Sequence, residues 1–150
     1  MVVGGVRGAL ATVVRDYEKR ACRYWKLDAI EVEAGAPGGS DDRDAVRSAE
    51  QKRLLVRVPG DVELVALTRT GRPMGSRAFA SYLEQHALHA RDVAFVIGGA
   101  HGVGDELLAR ARPLTLSAMT LPHEVARLVL VEQLYRAGTI LRGEPYHKGP

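Results

Sequence analysis

Near the end of the chain, Tyr146-His147-Lys148 follows Gly143-Glu144-Pro145 and sets an aromatic face, a proton-transfer group and a cation side by side. Those three together suit a nucleotide base and its phosphate. A polar tail after a proline is, on its own, commonly just a solvated terminus. Upstream, two small-residue turns each follow an apolar run. Gly98-Gly99-Ala100-His101-Gly102 comes after Val93-Ala94-Phe95-Val96-Ile97, and Ser117-Ala118-Met119-Thr120-Leu121-Pro122 comes after Leu114-Thr115-Leu116. Glycine permits positive φ and close backbone approach, so turns of this type bring bare N–H and C=O groups up to a ligand. The first is not a full G-x-G-x-x-G fingerprint, and no P-loop Lys-Ser/Thr pair follows it. Alone it reads equally well as a tight packing turn. A second turn after a neighbouring strand tips the balance towards a ligand site in the C-terminal part, away from the first strand–helix turn where dinucleotide folds keep theirs.

Other chemistries find little support. His86 and His89 are three apart, but Glu84 should point elsewhere and Asp92 falls past the helix end, so no metal site is expected. His101 in the glycine turn and His123 beside Pro122 suit orienting backbone as well as moving protons. No G-x-S-x-G elbow or H-E-x-x-H is present, which leaves hydrolase readings without a motif. Cys22 is the sole cysteine, so neither an intrachain disulfide nor a cysteine-rich metal site is possible. It reads as a structural thiol.

The elements that must position these residues alternate between strand and helix. Val2–Val6 reads as a short strand, and Leu10–Tyr24 as a helix with Leu10, Val13, Val14, Tyr17 and Ala21 at helical spacing. Asp28–Glu33 alternates as a half-exposed strand should, and Gly35–Ser40 is a loop. A charged helix spans Asp41–Arg57. Val62–Leu67 and Val93–Ile97 read as buried strands, separated by a helix from Ser76 to His89 whose Phe79, Tyr82, Leu83 and Leu88 are assigned to packing. A short helix, Asp105–Arg112, and a short strand, Leu114–Leu116, follow. The last helix, Pro122–Ala137, carries Val125, Leu128, Val129, Leu130, Val131 and Leu134, an apolar surface too wide for one neighbour. One of its two buried sides then belongs to a second copy of the chain. The alternation predicts an α/β fold with a mostly parallel sheet.

A chain of 150 residues with 46% hydrophobic content is long enough for one domain, residues 1–150, with a real core. Lys and Arg outnumber Asp and Glu by 21 to 18, a net charge of +3 that permits a polyanionic partner without demanding one. No apolar run approaches the roughly 20 residues of a membrane span, and the N-terminus lacks a signal-peptide core. A reducing, cytoplasmic setting is the consistent expectation.

Four segments carry a resemblance to a known family: Phe95-Val96-Ile97-Gly98-Gly99, Leu114 through His123, Glu132-Gln133-Leu134-Tyr135-Arg136-Ala137, and Pro145-Tyr146-His147-Lys148. In order and spacing the chain resembles the RlmH family of the SPOUT class, which methylates a pseudouridine in large-subunit (23S) ribosomal RNA. The strongest match runs from about Val62 to Lys148. The resemblance implies a mostly parallel sheet flanked by helices, with a deep C-terminal trefoil knot, a rare exception to unknotted chains. It also implies a homodimer and S-adenosylmethionine bound in the knot. Carried over, Leu67, Gly98, Ser117, Ala118, Met119, Thr120, Leu121 and Pro122 would hold that cofactor. Thr68 stands where the family commonly has an acidic residue.

The implied reaction moves a sulfonium methyl to N3 of the pseudouridine, with loss of the N3 proton. In this reading Tyr146 and His147 position the base, His147 being the better proton-transfer candidate, while Arg142 and Lys148 hold phosphate or developing charge. A charge of +3 is too weak to grip naked RNA, so the expected substrate is an assembled ribosome or large subunit. Two alternatives stay open: a ribosome-binding or assembly factor without chemistry, and a SPOUT methyltransferase of another RNA nucleotide.

Overall fold

A computed structural model describes residues 1–147, His147 by its backbone alone. The elements are β1 (Val2–Val3), α1 (Gly8–Ala21), β2 (Glu31–Val32), α2 (Arg43–Leu55), β3 (Val62–Pro73), α3 (Ser76–Leu88), β4 (Asp92–Ile97), α4 (Asp105–Arg110), β5 (Arg112–Thr115) and α5 (His123–Leu141). Short 3-10 turns occupy Pro37–Gly39 and Pro145–His147. The five strands form one sheet in the order β2-β1-β4-β3-β5, and every pairing is parallel. Parallel neighbours need long crossovers, which is why a helix stands between most successive strands.

Alternation along the strands divides the core between the two faces of the sheet. Val65, Phe95 and Ile97 point to one side, where Phe79 and Leu83 of α3, Ala21 of α1, and Leu130 and Leu134 of α5 cover them. Leu64, Ala66 and Val96 point to the other, against Leu54 of α2 and Leu107 of α4. The last helix therefore lies between α1 and α3. It is fastened there by polar bonds as well: the Trp25 indole donates to the Leu134 carbonyl at 2.8 Å. Arg127, only 8% exposed, donates from Nε and Nη2 to Glu18 Oε1 at 3.0 and 2.7 Å and from Nη1 to Glu31. Burial works against its charge, yet the bonds to Glu31 and Glu18 outweigh it and raise its pKa.

Several element boundaries differ from expectation. β1 ends at Val3 because Gly4 turns with φ +79, its α-carbon backed against the His123 imidazole. β2 keeps only the two residues that β1 can pair. β3 runs six residues beyond Leu67, leaving the ladder there and rejoining β5 at Arg72. In that excursion Gly71 crosses so close to β5 that a Cβ would lie 2.4 Å from the Leu114 carbonyl carbon. α5 continues through Gly138 to Leu141, because the missing side chain at 138 makes room for the Tyr24 ring, which a Cβ would meet at 2.2 Å.

Candidate functional site

Strand register brings the dispersed turn residues to one edge. Leu67 pairs with Ile97 of β4 on one side and with Leu114 of β5 on the other. Gly98 directly follows Ile97, and Ser117 lies three residues beyond Leu114, so Leu67, Gly98 and Ser117 emerge together at the C-terminal edge of three adjacent parallel strands. That edge is where open α/β sheets bind ligands. Leu67, Leu116 and Leu121 are half-buried against the core, giving the edge an apolar floor.

The two turns are built differently. In the Gly98–Gly102 turn, Gly102 N–H donates to the Gly99 carbonyl at 3.0 Å. A Cβ on Gly98 would lie 2.5 Å from the Gly102 carbonyl carbon, so only glycine fits. In the second turn, the Thr115 hydroxyl donates to the Ser117 carbonyl at 2.7 Å, and Met119 N–H donates to Ser117 Oγ at 3.0 Å. Ala118, Thr120 and Pro122 are exposed, and Met119 is 77% exposed. Beside the end of β5 a cavity of about 220 Å³ opens between Met74, Ser76, Phe79, Leu116, Val129 and Gln133. There the Ser76 hydroxyl donates to Gln133 Oε1 at 2.7 Å. Sequence reasoning missed this cavity, since its lining comes from two helices, one strand and the loops beside them, with no common motif.

The tail sits elsewhere. Tyr146 donates to Glu132 Oε1 at 3.0 Å, lies 3.3 Å from the Tyr17 hydroxyl, and packs edge-on against Tyr135 at 4.6 Å between ring centres. The Arg136 guanidinium stands over its ring at 4.8 Å. Burial, then the bonds to Tyr17 and Glu132, raise its pKa, so the phenol keeps its proton at neutral pH. Arg142 is exposed; it stacks on Tyr24 at 4.6 Å and donates to the Arg23 carbonyl at 3.3 Å. Tyr24 in turn donates to Glu144, the chief cause of its own raised pKa. Arg15 and Lys19 on α1, with Arg23 just past its end, continue this basic edge, exposed and without ion pairs among the described residues. Lys148 and the His147 side chain lie outside the described residues. Among the described contacts, none joins Tyr146 or Arg142 to Leu67, Gly98 or the Ser117–Pro122 turn within one chain. The structure thus unites the turn residues and seats Tyr146 and Arg142 among α1 and α5 residues instead.

A family model described as "Predicted SPOUT methyltransferase" matches residues 1–147. The chain belongs to the SPOUT methyltransferase family. A relative from Gemmatimonas aurantiaca named "Ribosomal RNA large subunit methyltransferase H" is 54% identical over 99% of this chain and 97% of its own length. One of the same name from Syntrophotalea carbinolica is 40% identical over 93% and 90%. Among solved structures, a probable methylase family protein from Haemophilus influenzae superposes with a TM-score of 0.50 at 15% identity, covering 99% of this chain and 69% of that one, and shares the fold. Among the described residues no helix is long and apolar enough to cross a membrane.

Proposed function

We propose that this SPOUT methyltransferase transfers the methyl group of S-adenosylmethionine to N3 of a pseudouridine in large-subunit (23S) ribosomal RNA, acting in the cytoplasm on an assembled ribosome or large subunit. The observation that carries the reading is the shared strand edge of Leu67, Gly98 and Ser117 in a chain aligned end to end with relatives of that name.

The residues present fit the donor. Leu67, Leu116 and Leu121 offer an apolar slot for an adenine, and the exposed Ala118–Pro122 backbone offers hydrogen-bonding groups beside it. The Gly98 turn has no space for a Cβ, which keeps its backbone open to a close ligand. When bound, the cofactor supplies an electrophilic methyl group. A C-terminal trefoil knot belongs to this reading through the family alone.

The chain's own part is to align and to manage one proton. The N3 proton of the target must leave as the N–C bond forms, and His147 is its acceptor in this reading. Tyr146 cannot take it at neutral pH, because its phenol stays protonated; its ring and hydroxyl orient the base instead. Arg142, with Arg15, Lys19 and Arg23 beside it, contacts backbone phosphates, and Lys148 joins them. Since Tyr146 and Arg142 have their described partners on α1 and α5 and not at the turns, a homodimer completes the site in this reading, one copy holding the donor and the other presenting the tail. The half-buried Val125, Leu128 and Val129 stripe on α5 supports that interface.

Mass spectrometry of ribosomal RNA from cells with and without the gene tests the reaction. A methylated pseudouridine in the large subunit that vanishes with the gene is the expected result; a different lost modification would point to another nucleotide, and none at all to a non-catalytic ribosome factor. His147→Ala should bind donor and ribosome normally and methylate far more slowly. Wild-type turnover would remove His147 from proton transfer.

A further inference from the structure

Glu50 lies on α2, outside every motif recognised in the sequence. It is 3% exposed, has no ion-pair partner among the described residues, and faces two glycine turns at once. One oxygen accepts the Gly35 N–H at 2.9 Å, and the other is buried with no hydrogen-bond partner. Both oxygens crowd Gly99, whose Cβ, if it had one, would lie 2.7 and 2.8 Å from them. A buried carboxylate oxygen without a donor is costly and rare, so its setting asks for a state that fills it.

The neighbours of Glu50 on α2 act on the same connection. Arg47 Nη2 donates to Asp105 at 2.6 Å and to the Val103 carbonyl at 3.3 Å. Gln51 Oε1 accepts the N–H groups of Glu106 at 3.1 Å and Leu107 at 3.4 Å. One polar face of α2 therefore braces the stretch from Val103 to Leu107 and abuts Gly99. Among the described residues two of its atoms, Arg47 Nε and the second Glu50 oxygen, are buried without a partner, the oxygen being the one that faces the turn.

We propose that Glu50 is a positioning residue for the methyl donor: its free oxygen accepts a backbone N–H from Gly99–His101 when the turn seats the donor, locking that turn against α2. This rests on the reading that S-adenosylmethionine binds at the Gly98 turn.

Calorimetric titration of the purified chain with S-adenosylmethionine, paired with melting curves without ligand and ribosome methylation kinetics, tests it. Glu50→Gln keeps size and the acceptor for Gly35 but puts a donor or a weaker acceptor where the turn needs a carboxylate. Its donor affinity should fall about tenfold, with the KM for ribosomes unchanged. Arg53→Ala is the structural control. Arg53 ties the same loop by donating to the Glu33 and Gly35 carbonyls at 3.0 and 2.6 Å but does not reach the glycine turn. It should lower the melting temperature and leave donor affinity intact. Should folded Glu50→Gln and Glu50→Ala bind the donor as wild type does, or Arg53→Ala weaken it equally, the positioning role is overturned. A wild-type chain that binds no S-adenosylmethionine would instead overturn the cofactor reading itself.

Discussion

The two turns at the sheet edge differ in what stands behind them. Gly98–Gly102 is backed by the polar face of α2 and admits no side chain at Gly98. Ser117–Pro122 is held by two short hydrogen bonds of its own and shows Met119 to solvent. The first is the rigid wall at Gly98, where packing admits no Cβ, and the second, with Met119 in solvent, is the adaptable one. In the proposed site the fixed wall would set the donor's position and the adaptable one would close on it.

That contrast is open to breaking. The largest effect is expected at the rigid wall. Gly98→Val drives a side chain into the Gly102 backbone, so chemical denaturation should show a loss of about 3 kcal/mol or more, with donor binding abolished. A smaller loss would mean the turn yields and is not rigid. At the adaptable wall, Ser117→Ala removes the acceptor of the Met119 N–H. Stability should fall by about 1 kcal/mol, while calorimetry reports donor affinity several-fold weaker. Met119→Ala sharpens the comparison further: with the side chain exposed, stability should stay within about 0.5 kcal/mol, yet donor affinity should drop measurably. Equal affinity would remove Met119 from the site.

The smallest effect is a pH trend on the strand behind the rigid wall. The Met1 ammonium donates to the Phe95 carbonyl of β4 at 2.8 Å, and burial, then the charge of Arg127, lower its pKa to about 6 from 8.0. Above pH 8 the amine is neutral in both folded and unfolded chains. As pH falls towards 6 the unfolded chain takes up the proton first, so stability should decline across that window and level off below it. Melting curves from pH 5.5 to 8.5 check the sign, and a rise in stability on acidification would contradict it.

Most of this architecture was legible in the residues. Val62–Leu67 and Val93–Ile97 are short apolar runs bounded by polar or glycine segments, and a parallel core strand has no other signature. The helices declared themselves by spacing. What stayed hidden depended on contacts across the chain. Gly138 looks like a helix stop until Tyr24 is seen filling its place. The extension of β3 past Leu67 runs through Arg69, Thr70 and Gly71, a polar excursion that ends in a strand only because Arg72 and Pro73 find β5 beside them. At the site, the glycine and serine turns were readable because turn chemistry is local. Glu50 was not, since a glutamate amid the charges of α2 carries no mark of burial. The tail was readable as chemistry but not in position, because its docking depends on Tyr17 and Tyr135, far away in sequence.

The bonds of Arg127 to Glu18 span 109 positions, and those of Tyr146 to Tyr17 span 129. Fastenings this distant form late, because a long stretch of backbone must be ordered before they close. Leu67 waits on the same event: its second strand neighbour, β5, is the last to be synthesised and reaches its place only at the sheet's outer rim. The edge that Leu67 shares is therefore finished among the last contacts of folding, and the appearance of donor binding after dilution from denaturant should track the slowest refolding phase.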